Sequence, residues 1–192
     1  VLARTTRPMS GGEVHRLAGT GSANGVRLAL ARLVRQGVVN AEQRAAAVFY
    51  EANRSHLAWP AVEILAGLRR TMLERLREEL QSWQVPPIHA SLFGSAARGD
   101  GGTDADIDIL LIRPGGVDDE NPSWAEQIDR LHQHVEAWTG NHCQLFQVDL
   151  DRIAQDRSAN DSIVDKWRRD SIALAGQDLT DVLRTLPDRR KR

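Results

Sequence analysis

Apolar residues recur every three or four positions in several stretches of the chain, and this spacing predicts amphipathic helices. The first two stretches are SGGEVHRLAG and ANGVRLALARLVRQG. Ser10, with Glu13 three residues later, has the pattern of a capping box, and Gly19 and Gly37 are typical helix ends. The following segment, VVNAEQRAAAVFYEAN, contains two β-prone runs around a polar turn predicted at residues 40–44. We therefore predict two helices and a hairpin over the first 56 residues.

The longest helical pattern covers residues 57–84 and has Pro60 in its first turn, where proline is favoured. We expect its buried face to consist of Val62, Leu65, Leu68, Met72, Leu73, Leu76 and Leu80. This stripe lasts only about three heptads, which favours a connecting helix packed on the next domain over a free coiled coil. The proline pair after residue 85 ends the helix and begins a new domain.

Strand-like and helical patterns mix in the rest of the chain. IHASLFG, ADIDILLIR and CQLFQVDL read as strands, and NPSWAEQIDRLHQHVEAWTG reads as a helix capped by Asn121 or Ser123. GSAARGD is predicted as a turn leading into a short helix, joined by the linker DGGTDA to the second strand. DRIAQDRSAN and DSIVDKWRRDSIALAG are predicted as helices, the last ending at Gly176.

The fold class expected from these patterns is α+β, or mixed. An N-terminal two-helix and hairpin module (1–56) is followed by a connecting helix (57–84). An α/β domain with a small mixed sheet and C-terminal helices (85–185) comes next, and a basic tail (186–192) ends the chain.

Charge divides the chain in the same place. Residues 1–60 hold eight arginines, no lysine and three acids, a net charge of +5, whereas the remainder carries −6. This asymmetry indicates two modules with different partners.

The order helix, short turn, helix, hairpin resembles the winged helix-turn-helix family, here truncated at its start. The resemblance implies that duplex DNA is contacted through Arg27, Arg32, Arg35 and Arg44. It also implies dimerisation in many members, so a homodimer is open. The alternative is a structural or dimerising module with a solvated basic face.

No apolar run approaches the ~20 residues needed to cross a bilayer, and the N-terminus lacks the pattern of a signal peptide. The single cysteine, Cys143, agrees with a reducing compartment, so we expect a cytoplasmic protein that does not bind membranes. Since the chain starts at Val1 rather than at a methionine, we expect residues upstream of it.

Two carboxylates lie in the most apolar strand pattern. Asp106 and Asp108 are two residues apart and therefore share one face, about 7 Å apart at their α-carbons. A buried carboxylate without a partner costs several kcal/mol, and two of them raise each other's pKa. A divalent cation held by oxygen ligands, Mg²⁺ or Mn²⁺, would offset this cost, and Mg²⁺ is usually completed by substrate phosphates.

The segment GSAARG precedes these acids and has the composition of a phosphate site. Gly94 and Gly99 allow close backbone approach, and the hydroxyl of Ser95 and nearby amides can bind phosphate oxygens. Arg98 offers a guanidinium to the same group. A triphosphate bound here would meet the cation held by the acidic pair, which favours in-line displacement at phosphorus.

The run GSAARGDGGTDADID resembles the signature of the DNA polymerase β nucleotidyltransferase superfamily, and most of all its minimal nucleotidyltransferases. The resemblance covers residues 88–150. It implies that Gly94 and Ser95 bind a nucleoside triphosphate and that Asp106 and Asp108 bind the metals. It also implies transfer of a nucleoside monophosphate to an acceptor hydroxyl on a protein, an RNA such as tRNA, or a small molecule. Minimal nucleotidyltransferases often occur in toxin–antitoxin pairs, which makes such a role an expectation.

The sequence departs from that signature at two positions. Ala105 stands where many relatives have serine, and Gln144 stands where a third carboxylate is usual. Glutamine cannot act as a base, and Asp149, five residues on, faces the other side of a regular strand. We therefore expect a nucleotidyltransferase of low activity. The alternative function is a winged-helix DNA-binding regulator that keeps a weakened nucleotide-binding domain.

The spacing of the histidines in the second half of the chain does not match a metal-binding motif. His132 and His134 are two residues apart on a helix and cannot face the same way, and His142 is followed only by Cys143. We predict no zinc site from them.

Overall fold

The fold is described from a computed structural model that covers residues 1–100, 105–118, 120–158 and 162–186. The central part of the predicted linker DGGTDA and nearly all of the predicted basic tail lie outside these residues. The chain divides into two compact units, Val1–Arg70 and Thr71–Arg192. Across the described ranges, no helix is both long and apolar enough to span a membrane.

The first unit begins with the two predicted helices, α1 (Gly11–Ala18) and α2 (Ala23–Arg35). The capping box is confirmed, because the Ser10 side chain accepts from the Glu13 amide while the Glu13 carboxylate accepts from the Ser10 amide. These hydrogen bonds satisfy two amides that the first helical turn would leave without partners.

A three-stranded antiparallel sheet completes the unit, in the order β1 (Met9–Ser10), β3 (Ala47–Ala52), β2 (Val39–Arg44). The predicted turn at residues 40–44 is wrong, since this segment is β2 itself and the turn is Ala45–Ala46. Five of the six residues of β2 are exposed, which explains why a strand looks like a polar turn. Ala45 has a φ of 49°, a left-handed value that alanine does not signal in a sequence.

Helix α3 (Trp59–Gln81) is the predicted connecting helix, and the division between the units falls within it. Its apolar stripe is confirmed at Leu76 and Leu80, which are fully buried, but it is wrong at Leu65 and Leu68. Those two side chains are 66% and 55% exposed. Periodicity identifies a face that can be buried, but burial also needs a partner element. Within the second unit, the α3 residues that pack in the core begin at Met72.

The second unit is built on a four-stranded mixed sheet in the order β6-β5-β4-β7. Its elements are β4 (His89–Phe93), α4 (Gly94–Arg98), β5 (Ile107–Ile112), α5 (Pro122–Thr139), β6 (Cys143–Val148), α6 (Leu150–Ser158), α7 (Ser162–Asp170), β7 (Ile172–Gly176) and α8 (Leu179–Thr185). Strands β5 and β6 are parallel, while β4 is antiparallel to both of its neighbours.

The C-terminal part differs from the prediction. Residues 172–176 were expected to continue a helix but form β7, which pairs with β4, and α8 after it was not predicted. The run IALAG is too short for its pattern to separate strand from helix, and pairing with β4 decides the outcome. Gly176 has a φ of 77°, and a Cβ there would overlap the Ile88 carbonyl, so this backbone approach requires glycine.

Strand β5 is buried on both faces. Ile107, Ile109 and Leu111 belong to one core cluster with residues of α3 and α5. Leu110 and Ile112 belong to the other, with residues of α7 and α8. Asp108 shares a face with these last two residues by the alternation of the strand, so its carboxylate lies at the edge of a hydrophobic core.

Candidate active site

Asp108 lies near the start of β5, and Asp106 lies immediately before that strand. The Asp108 side chain is half-buried, and this burial raises the pKa of its carboxyl group above the ordinary value. The negative charge of Asp106 raises the pKa of Asp108 further. The two acids are thus close enough to interact, and a bound cation would relieve their repulsion.

The glycine of the GS motif lies directly against this carboxylate. Phe93 pairs with Asp108 across β4 and β5, and Gly94 follows it with a φ of 72°. A Cβ at Gly94 would overlap Oδ2 of Asp108. The structure therefore brings together the turn predicted to bind phosphate and the acid predicted to bind metal, and the space between them is open only because residue 94 has no side chain.

Ser95 and Arg98 lie on the short helix α4 that follows. Ser95 is half-buried, and its carbonyl accepts from the amides of Gly99 and Asp100. Arg98 forms ion pairs with Asp100 at 2.9 Å and with Asp170 at 3.1 Å. A phosphate contact by Arg98 would therefore have to exchange one of these partners. The position of Asp170, at the end of α7, has no local signal in the sequence, because the contact spans 72 residues.

Gln144 is the neighbour of Asp108 on the adjacent strand. Parallel pairing of β5 and β6 sets Asp108 opposite Gln144, and Gln144 is exposed. The position expected for a third carboxylate therefore lies beside the acidic pair and holds a neutral amide.

Asp149 lies at the other end of the same strand. Asp149 follows Val148, which pairs with Ile112 and lies four residues beyond Gln144, the partner of Asp108. By strand rise, these four residues correspond to a separation of about 13 Å. Its carboxylate accepts from the Arg152 amide at 2.7 Å and lies 3.8 Å from Arg113. The structure thus does not bring Asp149 to Asp106 and Asp108.

The acidic pair fits a hard divalent cation. Its donors are carboxylate oxygens, the ligand type that Mg²⁺ and Mn²⁺ prefer. A Cβ would fill the space at Gly94, so glycine leaves room there for such an ion. The raised pKa of Asp108 indicates that its negative charge is poorly stabilised, and a cation would stabilise it.

The arginines predicted to contact DNA lie in the first unit. Arg27, Arg32 and Arg35 are exposed on α2, and Arg27 donates to Asn24 at 2.8 Å. Arg44, on β2, instead forms an ion pair with Glu42 and lies over the ring of Phe49. Arg32 and Arg35, three residues apart, share one face of α2.

We expect Gly94→Ala to lower both stability and divalent-cation binding. The left-handed backbone costs an L-residue about 1–2 kcal/mol, and the new methyl group displaces the Asp108 carboxylate. Thermal unfolding and Mn²⁺ titration would measure the two effects.

Gly116→Ala is the matched control for that variant. Gly116 has a φ of 81° but no atom within 4 Å of a Cβ, so it carries the backbone strain alone. Equal Mn²⁺ affinity in the two variants would contradict the contact between residue 94 and Asp108.

A family model matches the segment that holds the acidic pair and the glycine turn. Residues 73–166 match the model of the nucleotidyltransferase domain. A comparison with curated proteins found no significant match.

Solved structures also resemble part of the chain. One is a toxin–antitoxin with AMP-PNP, 22% identical, with a TM-score of 0.40. Another is a mutant form of the toxin–antitoxin MntA–HpeT, 19% identical, also with a TM-score of 0.40. Each match covers 58% of this chain and 78% of the other chain.

Proposed function

We propose that the second unit is a metal-dependent nucleotidyltransferase, which transfers a nucleoside monophosphate from a nucleoside triphosphate to an acceptor hydroxyl. The observation that carries the proposal is the contact between Gly94 and the Asp108 carboxylate, inside the segment that matches the nucleotidyltransferase family model. This contact places a glycine turn that has room for phosphate next to a carboxylate whose charge a cation would stabilise.

Each residue has a definite part in this proposal. Asp106 and Asp108 hold Mg²⁺ or Mn²⁺, and the Gly94–Ser95 turn binds the triphosphate. The bound ion supplies Lewis-acid stabilisation of the charge that develops on the phosphate oxygens. The acceptor oxygen forms a bond to the α-phosphorus, the bond to pyrophosphate breaks, and the proton of the hydroxyl passes to solvent. Gln144, being neutral, cannot accept that proton, which accounts for the low activity we expect.

The acceptor hydroxyl belongs to a protein, an RNA or a small molecule, and the experiment distinguishes these classes. The purified chain would be incubated with each of the four α-labelled ribonucleoside triphosphates, Mg²⁺ or Mn²⁺, and cell extract. Label retained by protein, RNA or small molecules after separation identifies the acceptor class. Failure of every triphosphate to bind in the presence of either ion would overturn the proposal.

Exposed arginines in the first unit favour a second function, binding of duplex DNA. Arg32 and Arg35 lie together on the exposed face of α2. Residues 1–60, which include both arginines, carry a net charge of +5. On this proposal the first unit acts as a winged helix and the second as a nucleotide-responsive domain of a regulator. A homodimer would present two such helices to adjacent half-sites.

Loss of Arg32 or Arg35 is expected to weaken DNA binding uniformly across sequences. Each phosphate contact removed should reduce the slope of log K against log salt by about 1. Fluorescence anisotropy with two unrelated duplexes at several salt concentrations would measure this slope for Arg32→Ala and Arg35→Ala. Arg184→Ala, an exposed arginine of the second unit paired with Asp181, is the control. Absence of binding to either duplex at low salt would exclude this function.

A further inference from the structure

A cluster of two histidines and one glutamate lies at the C-terminal end of α5. His132 and Glu136 are four residues apart and occupy the same face of that helix. Gly140 ends the helix with a φ of 71° and turns the chain back, which brings His142 to the same place. Three side chains from a helix and from the following loop therefore converge on one point.

The ligand atoms of this cluster have the spacing of a chelating site. Oε1 of Glu136 lies 3.0 Å from Nδ1 of His142 and 3.6 Å from Nε2 of His132. One ligand atom from each of the three residues lies within 4.8 Å of the other two. The side chains are 39%, 41% and 64% exposed for His132, Glu136 and His142, so an ion can reach them from solvent.

We propose that His132, Glu136 and His142 bind one zinc ion. Two imidazole nitrogens and a carboxylate oxygen are a donor set that Zn²⁺ accepts in tetrahedral geometry, with the fourth position left to water. The set differs from the oxygen-only pair at Asp106 and Asp108, which favours a hard ion. Tetrahedral zinc with bonds of about 2.1 Å places its ligand atoms about 3.4 Å apart. The two distances from Glu136, 3.0 and 3.6 Å, are close to that spacing.

The surrounding hydrogen bonds connect this zinc site to the start of β5. Oε1 of Glu136 also accepts from the Cys143 amide at 3.4 Å, which orients the carboxylate. The carbonyl of His142 accepts from the Ile107 amide at 2.9 Å. Ile107 lies between Asp106 and Asp108, so bound zinc would restrict the movement of the loop that supports the acidic pair.

Calorimetric titration of the full chain with Zn²⁺ tests the proposal. An Asp106→Asn, Asp108→Asn double variant serves as the background, so that the acidic pair does not contribute to the stoichiometry. One ion per chain is expected, and Co²⁺ in place of Zn²⁺ should give the visible absorption of a four-coordinate ion. Loss of an outer partner of a metal ligand costs about 10- to 100-fold in affinity, and loss of either imidazole should cost at least as much.

The matched variants are His132→Ala, His142→Ala and Glu136→Gln on one side and His134→Ala on the other. His134 lies on the same helix but pairs with Glu79, so its loss should leave Zn²⁺ affinity unchanged. The His132 side chain is 39% exposed, so His132→Ala remains informative if His142→Ala fails to fold. Absence of binding at about 1 mM Zn²⁺, the weak limit of ordinary affinities, overturns the proposal. Equal weakening by His134→Ala and His132→Ala overturns it as well.

Discussion

Asp108→Asn is expected to reduce nucleotidyl transfer by about 10³-fold or more. A bound ion contributes several kcal/mol of charge stabilisation in the transition state, and each 1.36 kcal/mol is a factor of about ten in rate. The amide keeps the size of the side chain but gives up the charge that holds the ion. Incorporation of label from the α-labelled triphosphate, compared between wild type and variant at saturating Mg²⁺, measures the loss.

Stability provides the control for this variant. Burial and the Asp106 charge raise the pKa of Asp108, so the folded protein holds this proton more tightly than the unfolded chain does. The ionised carboxylate is therefore unfavourable to folding above the raised pKa. In the absence of divalent ions, Asp108→Asn should unfold no more easily than wild type near neutral pH. Mg²⁺ should stabilise wild type but not the variant.

Asp149→Asn tests whether loss of transfer is specific to the acidic pair or follows from the loss of any negative charge. The asparagine can still accept the hydrogen bond from the Arg152 amide, and this residue lies at the far end of β6. Transfer should persist in it. If Asp149→Asn abolished transfer while Asp108→Asn did not, the assignment of the metal to Asp106 and Asp108 would be wrong.

Local rules were enough to predict much of the fold. The capping box of Ser10 and Glu13 and the Asn121 cap of α5 are both encoded within a few residues. The same is true of β5, whose alternation identified the face shared by Asp108. These features depend on hydrogen bonds and periodicity inside one segment, which a sequence displays directly.

Long-range pairing was the part that could not be predicted. β7 exists because β4 offers it hydrogen-bonding partners about 80 residues away, and IALAG alone does not show that. The predicted burial of Leu65 and Leu68 is wrong for the same reason, because burial depends on what packs against a helix. The Arg98–Asp170 ion pair likewise joins residues whose sequence contexts are unrelated.

The spacing of the two histidines on α5 does not by itself reveal the cluster with Glu136 and His142. The two-residue separation of His132 and His134 correctly excludes a shared face. The structure pairs His132 instead with Glu136, one helical turn on, and with His142 beyond the helix end. The signal was the i,i+4 acid together with Gly140, a helix end that turns the chain back.

Gln144 is the position where one substitution is expected to increase activity. It lies beside Asp108 on β6 and is exposed, so a carboxylate there would face solvent and the acceptor rather than the core. A carboxylate can accept the proton of the attacking hydroxyl, which an amide cannot, and a positioned base contributes about 10²- to 10⁴-fold. Three carboxylates also bind a divalent cation more strongly than two do, so the repulsion among them should be offset once the ion is present.

Gln144→Glu and Gln144→Asp should therefore raise the rate of nucleotidyl transfer by about 10²-fold in Mg²⁺. Single-turnover measurements would separate the chemical step from triphosphate binding, which should change less. Gln147→Glu, on the same strand but three residues further from the acidic pair, is the control and should leave the rate unchanged. In an Asp108→Asn background the gain should disappear, because the new base acts only on a triphosphate held by the intact pair. If neither Gln144 variant exceeds wild type, residue 144 does not limit the reaction, and the neutral amide is not the cause of low activity.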